Sequence, residues 1–179
     1  MELSATTVID APVAEVVAFV DDPDAQVLVT PAVTGIADVR EKPDGGRRML
    51  YGYRIAGLVL TGAMETTTYD PPDRIAFAMS GDLAGEIEWT FEPVGDDRTR
   101  FTYTARYDLG AVPFGSLLGP LRPLLAWYNR RELRRAVENT CRAVESDGQW
   151  LPGGESERPR DRSTDGDAAE SVSIPVESR

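Results

Sequence analysis

The sequence predicts an α+β domain in which a curved antiparallel sheet wraps one long helix near the C-terminus. Three observations predict it. Between Thr34 and Tyr107 the chain runs through six short segments of alternating apolar and polar residues, separated by tight turns. From Pro113 to Ser146 the spacing of apolar residues becomes helical. Ahead of the strands stands one more strand followed by two short helical segments.

Leu3 to Ile9 alternates and is rich in β-forming residues, so it reads as a strand. Asp10-Ala11-Pro12 then opens a helix, with Asp10 or Ala11 near the cap and Pro12 in the first turn. Val13, Val16, Val17 and Val20 give that helix a short buried face, and Asp21-Asp22-Pro23 ends it. A second short helix is expected from Asp24 to Val29.

The hairpins follow. Thr34 to Lys42 is a strand with Ile36 inward, and Val39 too if it shares that face. Pro43-Asp44-Gly45-Gly46 is a hairpin turn. Arg47 to Ile55 places Met49, Tyr51, Tyr53 and Ile55 on one face. Ala56-Gly57 turns the chain into Leu58 to Tyr69, which carries Leu58, Leu60, Met64 and the Thr66-Thr67-Thr68 run. Asp70-Pro71-Pro72-Asp73 breaks that strand; Ile75, Phe77 and Met79 alternate in the next. After Ser80-Gly81-Asp82, Ile87, Trp89 and Phe91 alternate with glutamates and a threonine. Gly95-Asp96-Asp97 turns into Phe101, Tyr103, Ala105 and Tyr107. Short turns between alternating strands make neighbours antiparallel, and the single apolar face needs a cover.

The closing helix supplies it. From Pro120 to Ser146 it spans on the order of 40 Å at ~1.5 Å per residue. Leu121, Leu124, Leu125 and Tyr128 share one face, while Leu133, Ala136, Val137, Thr140 and Val144 share another. The polar run Asn129-Arg130-Arg131-Glu132 marks the change between them. Arg130, Arg131, Arg134, Arg135 and Arg142 lie off the later stripe and are expected to offset nearby carboxylates on a solvated face. Trp127 lies off both apolar faces.

Composition narrows the function. The net charge of −11 repels nucleic acid and anionic membranes, so neither is an expected partner. Lys42 is the only lysine, and an acidic, arginine-based composition resembles that of proteins from salt-filled cytoplasm. With no histidine and Cys141 as the only cysteine, zinc sites, histidine triads and internal disulfides are excluded. Cys141 reads as a small core hydrophobe. The start, MELSATTVIDAP, lacks the basic and long apolar segments of a signal peptide, and no membrane span is expected. A cytoplasmic protein without cofactor or metal is the expectation. After residue 147 the chain turns rich in Gly, Ser, Asp, Glu and Arg, so residues 148–179 read as a disordered acidic tail on a 1–147 domain.

Two stretches carry a resemblance. TTVIDAPVAEVVAFVDDPD is similar to the strand, Ala-Pro, helix, Asp opening of the START-like (SRPBCC) superfamily. YDLGAVPFGSLLGPL and RRELRRAVENTCRAVE resemble the last strand and helix of its polyketide cyclase/dehydrase and lipid-transport branch. The resemblance covers about residues 1–147. It implies a helix-grip fold with a cavity between sheet and final helix that takes hydrophobic molecules such as lipids, quinones or polyketides. After the first helix, AQVLVTPAV stands where many relatives have a Trp-rich stretch.

The candidate lining is the inward set Tyr51, Tyr53, Met64, Phe77, Met79, Trp89, Tyr103 and Tyr107, met by Leu121, Leu125 and Tyr128. Rings with a few hydroxyls suit a flat or chain-like apolar ligand. No catalytic group is evident: Glu65, Glu86, Glu88, Arg54 and Arg106 fall in the outward phase. The readings are therefore a carrier of a small hydrophobic molecule, a polyketide cyclase/dehydratase-type enzyme, or a protein-interaction module using Trp127 and the arginine face.

Overall fold

The computed structural model describes residues 1–55, 57–108 and 122–146, the side chains of 122–125 excepted. The elements run β1 (Glu2–Ile9), α1 (Val13–Val20), α2 (Pro23–Val29), β2 (Val33–Glu41), β3 (Arg47–Ile55), β4 (Leu58–Asp70), β5 (Arg74–Gly81), β6 (Ala84–Pro93), β7 (Thr99–Asp108) and α3 (Arg122–Glu145). The seven strands form one curved antiparallel sheet in the order β1-β7-β6-β5-β4-β3-β2. This is the expected α+β helix-grip architecture, with α3 packed on β1 and β7 and against α1 and α2. The tail, residues 148–179, and the first helical residues expected from Pro113 lie outside the described residues.

Period-two alternation fixes which residues form the core. Met49, Tyr51, Tyr53 and Ile55 are buried along β3, and Ile87, Trp89 and Phe91 along β6. The opposite phase carries charge. On the outer face Arg106 meets Glu2 at 2.7 Å, and Arg74 meets Glu88 at 2.7 Å. Glu65 pairs with Lys42 at 3.2 Å. These carboxylates occupy the solvent side, as their phase required.

Local chemistry explains small departures. Pro12 is itself the cap of α1, with extended backbone, so the helix starts at Val13. Asp22 caps α2 by accepting from the Asp24 N–H at 2.9 Å, which lets Pro23 take the first helical position. Val39 is exposed: Asp38 adopts φ 51°, and the register shifts between Ala37 and Arg40. That bulge turns the outer half of the edge strand away from the core and blunts it against pairing with another chain.

Along α3 the later stripe is buried as expected at Leu133, Ala136, Val137 and Thr140. The polar run does not bound it. Asn129 and Glu132 are 2% and 6% exposed. The steps Asn129, Leu133, Ala136, Thr140 are four, three and four, so Asn129 lies on the stripe itself. Arg130, Arg131, Arg134, Arg135 and Arg142 are exposed, and Arg135 reaches Glu132 at 3.1 Å. Cys141 is half-buried rather than in the core; its thiol lies 3.2 Å from Glu145 Oε1. Burial, with Glu145 beside it, pushes that thiol up to about 11, so it stays protonated.

Candidate functional site

Strand register assembles the site. Met49 pairs with Met64 across β3 and β4, and Met64 pairs with Met79 across β4 and β5. Directly paired residues share a face, so three thioethers form one row across the concave side. The row continues through Gly85 of β6 to Tyr107 of β7. Beside it run the rings of Phe77, Trp89 and Tyr103. Phe77 and Trp89 meet edge-on at 4.8 Å, and Trp89 and Tyr103 at 6.0 Å.

A slot lies over this face. Its far wall, among the described residues, comes from the end of α1 and from α2: Val20, Asp21, Pro23, Gln26 and Thr30. Its volume is about 50 Å³. Ligand pockets usually reach ~300–1,000 Å³, so any guest larger than a few waters must displace side chains. The methionine row is the wall best able to yield, because an unbranched thioether has three soft torsions. A second, smaller space of about 10 Å³ lies between Tyr53, Tyr103 and Tyr107 on the sheet and Asn129, Glu132 and Leu133 on α3. The three tyrosines border both spaces.

The tyrosines of the sheet wall offer neutral donors rather than bases. Tyr51 donates to Leu83 O at 2.5 Å; burial, then the nearby Asp82 charge, pushes its hydroxyl up to about 12. Burial also pushes Tyr107 up to about 12. Tyr53 and Tyr103 are raised well above the ordinary phenol value, first by burial and then by their tyrosine neighbours. Each of the four keeps its proton near neutral pH.

At one end of the slot, Asp21, Arg47 and Tyr69 form a cluster. Arg47 Nη2 lies 2.6 Å from Asp21 Oδ2, Arg47 Nη1 donates to the Asp21 carbonyl, and Tyr69 donates to Asp21 Oδ2 at 3.0 Å. Burial outweighs the field of Arg47 and the hydrogen bonds, so the Asp21 carboxyl sits above the usual aspartate range. Elsewhere, the Trp89 Nε1–H on the sheet wall of the slot and both amide atoms of Asn129 beside the smaller space are buried without a hydrogen-bond partner. Among the described residues no three Cys, Asp or Glu side chains gather where a metal could sit.

The structure thus brings Tyr51, Tyr53, Met64, Phe77, Met79, Trp89, Tyr103 and Tyr107 together on one wall. Tyr128 is half-buried and lines neither space. The side chains of Leu121 and Leu125 lie outside the described residues. Sequence reasoning missed Arg47, although it stands two residues before Met49 in the inward phase. It also missed Asn129 and Glu132, whose helical spacing to Ala136 and Thr140 carried the signal. Asp21 had no periodic signal, because it lies past the end of α1.

Solved structures share this architecture. A protein from Thermus thermophilus is 22% identical with a TM-score of 0.69, covering 82% of this chain and 99% of its own. A START superfamily protein from Mycobacterium smegmatis is 20% identical with a TM-score of 0.64, covering 80% and 98%. The Zhui aromatase/cyclase from a Streptomyces species is 17% identical with a TM-score of 0.61, covering 83% and 98%. No curated protein sequence matches the chain. The family model described as polyketide cyclase/dehydrase and lipid transport matches residues 1–145, and the chain belongs to that family.

Proposed function

We propose that the protein carries or shields a small, slender hydrophobic molecule, of lipid, quinone or polyketide-like character, in the slot between the sheet and its helices. The observation that carries this reading is the methionine row facing a narrow unfilled space whose only sheet-side polar groups among the described residues, Arg47 apart, are protonated tyrosine hydroxyls and the Trp89 indole N–H. A filled core has no use for such a gap, since an unfilled volume forfeits dispersion contacts on every side. Membership of the family and the START superfamily likeness support it. The test is thermal unfolding with a medium-chain alcohol, a short-chain benzoquinone and a hydroxylated naphthalene. A ligand at ~100 times its Kd adds about 2.7 kcal/mol, a shift of several degrees. If no class raises Tm, the reading falls.

One observation favours a second reading, a cyclase/dehydratase-type enzyme. The Asp21 carboxyl borders the slot, is held by Arg47 and Tyr69, and is raised by burial, as a proton-transferring carboxyl requires. On this reading Asp21→Asn abolishes turnover of a poly-β-keto substrate while leaving its Kd within about threefold. Parallel loss of binding and turnover would count against it.

A further inference from the structure

One face of α3 carries charge opposite in sign to the molecule as a whole. Between Arg122 and Glu145 the helix holds six arginines against Glu132, Glu138 and Glu145, a balance of +3. With −11 over the whole chain, everything else carries −14. Trp127, Arg130, Arg131, Arg134, Arg135 and Glu138 follow at steps of three and one, so they share one face of the helix. Together they line an open hollow of about 330 Å³. Helical spacing predicted that these arginines offset nearby carboxylates. Among the described residues only Arg135 does so, on Glu132 at 3.1 Å; Arg130, Arg131 and Arg134 form no ion pair there. Trp127 is 57% exposed, the most exposed of the large apolar side chains described. The Arg131 guanidinium lies 5.8 Å from its ring centre, and the rest of the indole is open.

What docks here must be acidic and must offer Trp127 an apolar contact. Nucleic acid, an anionic membrane or an acidic protein would each approach against the −14 of the surroundings. A segment of the same chain makes no such approach, because its attachment holds it near the face at an effective concentration on the order of mM. The sequence contains a segment that fits. Residues 163–178 have no basic side chain; they carry Asp165, Asp167, Glu170 and Glu177, with Val172, Ile174 and Val176 among them. In residues 147–162, by contrast, four acids stand against three arginines. The order matches too. Returning from Ser146 along α3, a chain meets Arg134 after about 18 Å and Trp127 after about 29 Å, at ~1.5 Å per residue. In the segment, likewise, most of the acids precede the apolar residues. The connecting residues 147–164 can span up to about 60 Å, so reach is not limiting. We infer that residues 165–176 dock on the Trp127–arginine face of α3 in the same molecule, with Asp165, Asp167 and Glu170 on the guanidinium groups and the valines and Ile174 on the indole. So docked, the segment closes this face to acidic partners from outside. The contact is independent of what the slot binds.

The experiment uses the full chain with its single thiol moved by Cys141→Ala and Ser178→Cys, and a nitroxide attached at position 178. The indole N–H signals of the three tryptophans are read by NMR, and that of Trp127 is identified by its loss in Trp127→Phe. At about 0.1 M salt the label is expected to broaden the Trp127 signal and spare that of Trp89, which is buried in the sheet. At about 1 M salt the broadening should fall at least about threefold, because screening weakens the guanidinium–carboxylate attraction. The same fall is expected in Asp165→Asn/Asp167→Asn/Glu170→Gln and in Arg130→Gln/Arg131→Gln/Arg134→Gln. An unmoved Trp89 signal shows that each variant is folded. If the arginine variant is not, the acid variant, which alters no residue of the sheet or of α3, carries the comparison. A Trp127 signal that the label leaves sharp, or broadening that persists in the folded variants, overturns the docking. Broadening that arises only between labelled and unlabelled molecules in a mixture gives the face to a second copy, and overturns docking within one molecule.

Discussion

Arg47 and Asp21 meet at 2.6 Å across the end of the slot, each with a side chain only 16% exposed. The pair ties the first residue of β3 to the residue that ends α1, so it fixes how α1 and α2 sit over the sheet. Removing one partner strands the other in a poorly solvated place. Asp21→Asn and Arg47→Met should each cost about 1–3 kcal/mol in urea denaturation, between the exposed and the fully buried limits. The double variant should cost less than the sum, and full additivity would show that the two are not coupled.

The tyrosines make stability depend on alkaline pH. Tyr51 and Tyr107 hold their protons up to about 12 in the fold, against 10.0 for a free phenol. A raised folded-state value means that this contribution is complete below pH 10. It is lost as pH climbs from 10 through about 12, where the unfolded chain ionises first. Tyr51→Phe and Tyr107→Phe should each flatten the fall of stability over that range, by roughly one proton in the slope. Tyr51→Phe should also cost about 1 kcal/mol at neutral pH, through loss of its bond to Leu83 O. An unchanged alkaline slope in both variants would refute the assignment.

Gly62 gives Tyr51 its path. It pairs with Tyr51 on one side and Gly81 on the other. A Cβ there would stand 2.0 Å from Ser80 O and 2.7 Å from the Tyr51 hydroxyl. Backbone cannot retreat like a side-chain tip, so Gly62→Ala should cost at least about 2 kcal/mol and loosen the Tyr51–Leu83 bond. Chemical denaturation together with the Tyr51 titration reads both effects.

The methionine row predicts how the slot can be enlarged. Met64 is central, with Met49 and Met79 as direct partners. Met64→Ala should cost about 2–4 kcal/mol by opening a cavity. It should also admit a wider guest: naphthyl ligands should gain affinity relative to single-ring ones. A variant that loses stability but keeps the parent's ranking of ligands would place the guest elsewhere.

The charge of −11 predicts a response to salt. Screening weakens self-repulsion among the carboxylates, so raising sodium chloride from about 0.1 M to about 1 M should lift Tm by several degrees. Potassium chloride should act alike, because the effect is ionic strength. A flat response would mean that the outer-face arginine pairs already neutralise the field.

Much of this protein is set by local pattern. Alternation in β3, β4, β6 and β7 assigned Tyr51, Met64, Trp89 and Tyr103 to the inner face, because a strand side chain has only two directions. Turn residues such as Asp44-Gly45 dictated antiparallel neighbours, and that register brought the methionines into a row. Tertiary structure alone decided how far apart the sheet and helices stand, and so the 50 Å³ left between them. It alone joined Asp21 to Arg47, and set Asn129 and Glu132 against the tyrosines of β3 and β7. Periodicity is local and encodes direction. The meeting of two faces depends on curvature accumulated over seven strands, which no short window of sequence contains.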